Sequence, residues 1–178
     1  MYFKKLVGKQ IYLSPFDIAD VEKNTKWMND EEVTRNIGCF RNMTTVLSET
    51  DWISSVLKSG KYNFTIVDIE TNESIGNCGI DNVDEANGKA TLGIFIGEEV
   101  NRGKGVGTEA LTLLLDFCFN HLRLHNVDLN VFSFNERAIA CYKKCGFKEY
   151  GRRTESYFYD GKYYDEIKME ILDRDFKK

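Results

Sequence analysis

Apolar side chains alternate with polar ones in some stretches of the chain and recur every three or four positions in others. The first pattern marks a half-buried strand and the second an amphipathic helix. Val127, Leu129 and Val131 alternate with polar neighbours and predict a strand over residues 127–132. Residues 11–16 read as the first strand, and residues 63–68, 74–83 and 90–96 as three more. Glu70-Thr71-Asn72-Glu73 and Asn87-Gly88 separate those three, and Asn-Gly favours a hairpin, so an antiparallel meander is expected. The chain closes with strands at 147–159 and 163–172 around an Asp160-Gly161-Lys162 turn.

Helical spacing appears over residues 17–29, where Asp17 can cap and Ile18, Val21, Thr25 and Met28 form the expected buried stripe. A second helix is expected over 48–59, with Trp52, Val56 and Leu57 inward. The longest helix, over 107–122, carries Ala110, Leu113, Leu114, Phe117 and Cys118 on one face. A short one over 136–145 ends at Gly146, a natural C-terminal cap. The order is one strand, two helices, three strands, helix, strand, helix, two strands. It describes a mixed α/β (α+β) domain with one strand–helix–strand unit set beside hairpins.

Composition narrows the classes. The 178 residues suit one domain, and with 42% hydrophobic residues such a chain buries roughly two-thirds of its surface. The 24 Lys+Arg and 28 Asp+Glu give a net charge of -4, which disfavours a non-specific nucleic-acid binder. The N-terminal segment has no apolar run with a small-residue cleavage site, and no run reaches the ~18 residues of a membrane span. Five cysteines with no C-x-x-C pair read as reduced thiols, and a cytoplasmic protein is expected.

Chemistry concentrates after the strand at 90–96. Arg102-Gly103-Lys104-Gly105-Val106-Gly107-Thr108 is a loop of alternating glycines that opens a helix. Glycine lets the backbone come close to a ligand, and a helix N-terminus offers unpaired N–H donors and a positive dipole end. Arg102 and Lys104 add cationic side chains, so the segment reads as a cradle for an anion such as a pyrophosphate. Glycine-rich strand–helix connections also occur where nothing binds. The segment is neither a Walker A loop nor a dinucleotide fingerprint, because G-K-[ST] is missing and hairpins precede it.

What remains, R-x-x-G-x-G at Arg102, Gly105 and Gly107, resembles the acetyl-coenzyme A loop of the GNAT family of N-acetyltransferases. Asn135, Ala138, Tyr142, Gly146 and Phe147 match that family's N-x-x-A-x-x-x-Y-x-x-x-G-F segment. Gly107-Thr108-Glu109-Ala110, Trp27-Met28-Asn29-Asp30 and Asp165 resemble the branch containing ribosomal-protein N-terminal and spermidine acetyltransferases, while Ser14 stands where many branch members carry arginine. The resemblance spans about residues 10–172 of a single domain. It implies a central, mixed, mostly antiparallel twisted sheet of about seven strands with four helices, splayed between the fourth and fifth strands.

The resemblance implies acetyl-coenzyme A as cosubstrate, no metal, and a primary amine as acceptor: a protein N-terminus, a polyamine or another small amine. Arg102, Gly103, Lys104, Gly105, Val106, Gly107 and Thr108 would wrap the pyrophosphate. Phe95 and Ile96 would present main-chain groups to the pantetheine arm and acetyl carbonyl, and Asn135 would bond the cofactor or fix its loop. The Tyr142 hydroxyl would protonate the leaving thiolate, against the alternative of an ordinary core tyrosine. Glu98 or Glu99 could take the acceptor's proton, as could water. A non-catalytic coenzyme A sensor or protein-interaction module on the same fold is the other reading.

Other features carry plainer expectations. His121 and His125 lack the partners of a metal site. Cys141 and Cys145 read as buried thiols rather than a redox pair. Arg137, Lys143 and Lys144 face either the cofactor's 3′-phosphate or solvent. Tyr157, Tyr159, Tyr163 and Tyr164 are half-buried hairpin aromatics by default, with an acceptor cleft or a homodimer seam as alternatives. Asp30, Glu31 and Glu32 could attract a polyamine or merely be wet surface.

Overall fold

The computed structural model describes residues 1–177. Eight strands form one sheet: β1 (Leu6–Val7), β2 (Ile11–Pro15), β3 (Tyr62–Asp68), β4 (Ser74–Asp84), β5 (Lys89–Ile96), β6 (Asn126–Phe132), β7 (Lys148–Tyr159) and β8 (Lys162–Leu172). Their spatial order is β1-β2-β3-β4-β5-β6-β8-β7, antiparallel throughout except for β5 beside β6. Five helices accompany them: α1 (Val21–Trp27), α2 (Glu31–Thr34), α3 (Val46–Ser59), α4 (Val106–Asp116) and α5 (Glu136–Lys144).

The expected strands and meander are present. The eighth strand is the two-residue β1, which pairs Leu6 with Leu13 and is too short to show a period of its own. The fifth helix is the four-residue α2, with Asp30 accepting from the Glu32 N–H as its cap. At the end of the sheet, Asp160 and Gly161 take positive φ values of 47° and 74°, the geometry of a tight hairpin turn.

Two buried stripes differ from expectation. Ile18 lies in a 3₁₀ turn, Ile18–Asp20, ahead of α1, and is 47% exposed. Three residues per turn there and 3.6 in α1 break the phase, so α1 buries Val21, Asn24 and Trp27 instead. Helix α3 begins at Val46, with Thr45 and Ser48 forming a reciprocal capping box. Its inward face is Glu49, Ile53 and Val56, while Trp52 and Leu57 flank that stripe and stay 45% exposed.

The main core lies where α4 crosses the sheet, with Ala110, Leu111, Leu114 and Leu115 packed among Leu13, Ile66, Ile80, Leu129 and Met169. The helix expected over 107–122 is divided. After Asp116 it widens into a π-helical turn, Phe117–His121, in which the Leu122 N–H reaches the Phe117 carbonyl at 3.0 Å. Phe117 meets the edges of Tyr62 and Phe64 there, at 5.6 and 6.3 Å between ring centroids. The α4 crossover connects β5 to the parallel β6, and this connection positions the site.

Candidate active site

Strands β5 and β6 pair only at Lys89, Ala90 and Thr91. Beyond Thr91 they diverge, and residues 92–96 have no strand partner on that side among the described residues, so the expected splay is present between the fourth and fifth of the strands read from the sequence. On the other side β5 remains zipped to β4, with Phe95 opposite Asn77 and Ile96 opposite Gly76. The Gly97 N–H donates to the Ile75 carbonyl at 2.9 Å. Antiparallel ladders alternate, so the N–H of Ile96 points the other way, into the gap.

The loop following β5 supplies the gap's other wall. Gly103 and Gly105 take φ values of 79° and 88°, which only glycine adopts freely. Gly105 is the N-cap of α4 and has no side chain to bond the first-turn amides, which therefore remain available to a ligand. A cavity of about 270 Å³ joins this cradle to the gap. Phe95, Ile96, Arg102, Gly103, Gly105, Val106, Gly107, Thr108, Asn135 and Tyr142 all line it; Lys104, exposed to solvent, does not.

Arg102 is not a free cation of the cradle. Its Nε and Nη2 donate to the carbonyls of Ile96 and Gly97 at 3.2 and 3.1 Å, and Nη1 lies 3.8 Å from Glu32. With its side chain only 8% exposed, the guanidinium ties the loop back to the end of β5. Both carbonyls lie at the end of β5, and the Arg102 guanidinium satisfies them there.

Glu98 does not reach the cavity. Its Oε1 accepts from the Trp27 indole at 3.2 Å and lies 3.8 Å from the Lys23 ammonium, so the side chain is turned toward α1. Glu99 is exposed in the following turn. The carboxylate that does line the cavity is Glu32 of α2, together with Val33, Asn36 and Ile37. These four residues come from α2 and the segment just after it. A four-residue helix has no periodic signal, and only the acidic run at 30–32 marked the place.

Asn135 caps α5: its Oδ1 accepts from the Ala138 N–H at 3.1 Å, which leaves the amide nitrogen free for a ligand. That cap aims α5 so that Tyr142, two turns on, comes against the gap. Tyr142 is 8% exposed and packs edge-on against Phe147 at 6.1 Å. Among the described residues its hydroxyl has no hydrogen-bond partner. Burial, then the neighbouring Cys141 and Cys145, push the phenol pKa above its ordinary value, so the group is protonated at neutral pH.

Cys141 also lines the cavity, with Sγ 3.3 Å from the Thr108 hydroxyl. Arg137 and Lys144 line the mouth, whereas Lys143 is exposed elsewhere. The acidic run is largely engaged: Asp30 caps α2, Glu31 accepts from the Tyr159 hydroxyl, and Glu32 pairs with Arg35 at 2.6 Å. Tyr157 and Tyr159 stack with Phe132 and Phe134, and Tyr164 meets Phe134 edge-on. Tyr163 packs on Phe158 and stays 63% exposed. His125 pairs with Asp173 at 3.1 Å, and no cluster that could hold a metal occurs among the described residues. No helix among them is long and apolar enough to cross a membrane.

The splayed sheet, the glycine cradle and the tyrosine on α5 define an acyltransferase fold. The acetyltransferase (GNAT) domain family matches residues 10–148, and the chain belongs to that family. An uncharacterized N-acetyltransferase of Bacillus licheniformis is 27% identical over 96% of this chain and 97% of its own length. A spermidine N(1)-acetyltransferase of Vibrio cholerae is 37% identical over 47% of each chain. Among solved structures, spermidine N-acetyltransferase from Vibrio cholerae in complex with CoA and spermine superposes with a TM-score of 0.85 at 23% identity. That superposition covers 94% of this chain and 98% of the other.

Proposed function

We propose that this protein is a cytoplasmic N-acetyltransferase that moves an acetyl group from acetyl-coenzyme A directly to a primary amine. The observation that carries the reading is the continuity of one cavity from the α4 cradle, along the open edge of β5, to Tyr142. The donors at each end suit different parts of one ligand. Gly103 to Thr108 offer backbone amides at a helix N-terminus, the chemistry that holds a pyrophosphate. Arg137 and Lys144 at the mouth suit a further phosphate. The strand edge over residues 92–96, open on the β6 side, suits the peptide-like pantetheine arm.

At the reacting end, the protein's contribution is positioning and charge stabilisation. The N–H of Ile96 is aimed to receive the oxyanion that develops when a neutral amine attacks the thioester carbonyl. The C–N bond forms and the C–S bond breaks, leaving a thiolate beside Tyr142. An alkyl thiol ordinarily titrates near ~8.5 and a phenol near ~10. The same dry environment that raises Tyr142 also raises the thiolate, so the two stay close enough to share a proton. The amine's surplus proton leaves to water, since Glu98 is held by Trp27.

The acceptor end favours an amine on an apolar or neutral body, such as a peptide N-terminus. Val33, Ile37 and Asn36 line it, and Glu32 is already shared between Arg35 and Arg102. A polyamine, the substrate named for the spermidine acetyltransferase relatives, carries further ammonium groups that would compete with those arginines. The test is a thiol-release assay with acetyl-coenzyme A and a panel of peptides, polyamines and small amines, preceded by thermal shift. Turnover on a primary amine is expected. Binding without any turnover would leave a sensor, and no thermal shift would refute both readings.

A further inference from the structure

The cleft contains a nucleophile that acetyl transfer does not use. Of the five cysteines, Cys78 and Cys118 lie in the main core at 4% and 0% exposure, and burial raises both thiols, Cys118 to about 12. Cys39 is raised by burial as well. Cys141 differs in place and in surroundings. It lines the cavity, its Sγ is 3.3 Å from the Thr108 hydroxyl, and Cys145 sits one turn further along α5. The Cys145 Sγ reaches the Thr108 carbonyl at 3.8 Å, so both sulfurs gather on the first turn of α4. That turn is the positive end of an 11-residue helix.

These neighbours favour the thiolate of Cys141. The neighbouring Cys145 thiol is the largest influence lowering its pKa, against the opposing effect of burial, and the Thr108 hydroxyl and Lys144 act in the same direction. Thiolates are the attacking species in disulfide exchange, and reactive ones sit in electropositive, partly exposed places. Arg137 and Lys144 at the mouth attract an anionic reagent. The cavity is also built for a ligand, since the nine-tenths-buried Tyr142 lines it with an unpartnered hydroxyl.

We propose that Cys141 is a modification site, at which a small anionic disulfide such as glutathione disulfide forms a mixed disulfide that closes the cleft. The Cys141 thiolate attacks one sulfur of the disulfide, and the S–S bond breaks as the new one forms. One glutathione leaves as a thiolate and takes a proton from water. The exchange is redox-neutral overall, and a dithiol reverses it. A Cβ placed on Gly107 would stand 3.9 Å from the Cys141 sulfur, so an adduct on that sulfur lies against the cradle. The loss of acetyl-coenzyme A binding rests on the function proposed above; the formation of the adduct does not.

The test treats the full-length protein with glutathione disulfide and follows it by intact mass and peptide mapping. One adduct is expected on Cys141, with every other cysteine reacting at less than about one tenth of its rate. Cys141→Ser should take no adduct at that rate, and Cys145→Ala should slow the reaction of Cys141. Saturating acetyl-coenzyme A should protect the thiol. The adduct should weaken acetyl-coenzyme A binding by about tenfold or more, and dithiothreitol should restore it. An adduct on another cysteine, an internal Cys141–Cys145 disulfide, or no adduct would overturn the proposal. Undiminished labelling under saturating acetyl-coenzyme A would overturn the placement of the thiol in the cofactor's path. An adduct on Cys141 of a protein that never binds acetyl-coenzyme A would uphold the thiol site and refute the proposed function.

Discussion

Gly97 is the place where a single methyl group tests the geometry of the site. It follows Ile96, whose N–H faces the gap, and the Trp27 indole lies over it. A Cβ added there would stand 2.2 to 2.4 Å from three atoms of the indole, more than an ångström inside ordinary contact. The backbone of Gly97 lies outside the left-handed region, so the clash is the whole effect of Gly97→Ala. Trp27 has little room to move: it is 2% exposed, bonded to Glu98, and edge-on to Phe95 at 5.9 Å. Overpacking of this kind costs about 1–3 kcal/mol. A shift of the β5 end by about 1 Å lowers turnover by about a hundredfold, because the oxyanion donor moves with it. Urea unfolding and a thioester-cleavage assay measure the two effects. Trp27→Phe makes room, so the double variant should be less destabilised than the two single changes summed, by about 1 kcal/mol. Wild-type stability and turnover in Gly97→Ala, or strict additivity with Trp27→Phe, would refute the argument.

The remaining predictions concern other parts of the molecule. Tyr142→Phe should lower turnover by about 10²- to 10⁴-fold with acetyl-coenzyme A affinity nearly intact, read by kinetics and calorimetry; unchanged turnover removes Tyr142 as the acid. Gly105→Val places a β-branched residue at a φ of 88°, costing about 1–3 kcal/mol, and should abolish acetyl-coenzyme A binding in a protein that still melts cooperatively. Glu49 is buried on α3, and desolvation raises its pKa, so the folded state holds its proton more tightly than the unfolded chain does. Its ionisation therefore penalises folding as pH rises through the folded value, and the penalty vanishes below the unfolded value of about 4.3. Glu49→Gln should raise Tm at pH 7 and lose that advantage at pH 4; equal Tm values at pH 7 would contradict the burial effect.

The family's two motifs were legible because each acts through backbone and local geometry. A glycine at positive φ, a helix N-terminus and an asparagine cap are short-range properties, and their spacing along the chain is their function. Alternation and helical periodicity likewise located seven of the strands and the four longer helices. The structure then decided where the side chains point, since that depends on partners distant in sequence. Arg102 reads as a phosphate ligand until its guanidinium is seen bonded to the Ile96 and Gly97 carbonyls at the end of β5. Glu98 reads as a base until Trp27, 71 positions away, claims its carboxylate. Cys141 reads as one more buried thiol until α5 docks on α4 and its sulfur becomes part of the cavity wall. The sequence by itself determined the class of chemistry, through residues whose backbones do the binding. Tertiary packing alone decided which charges are free, because a charged side chain is spent by whichever long-range partner first satisfies it.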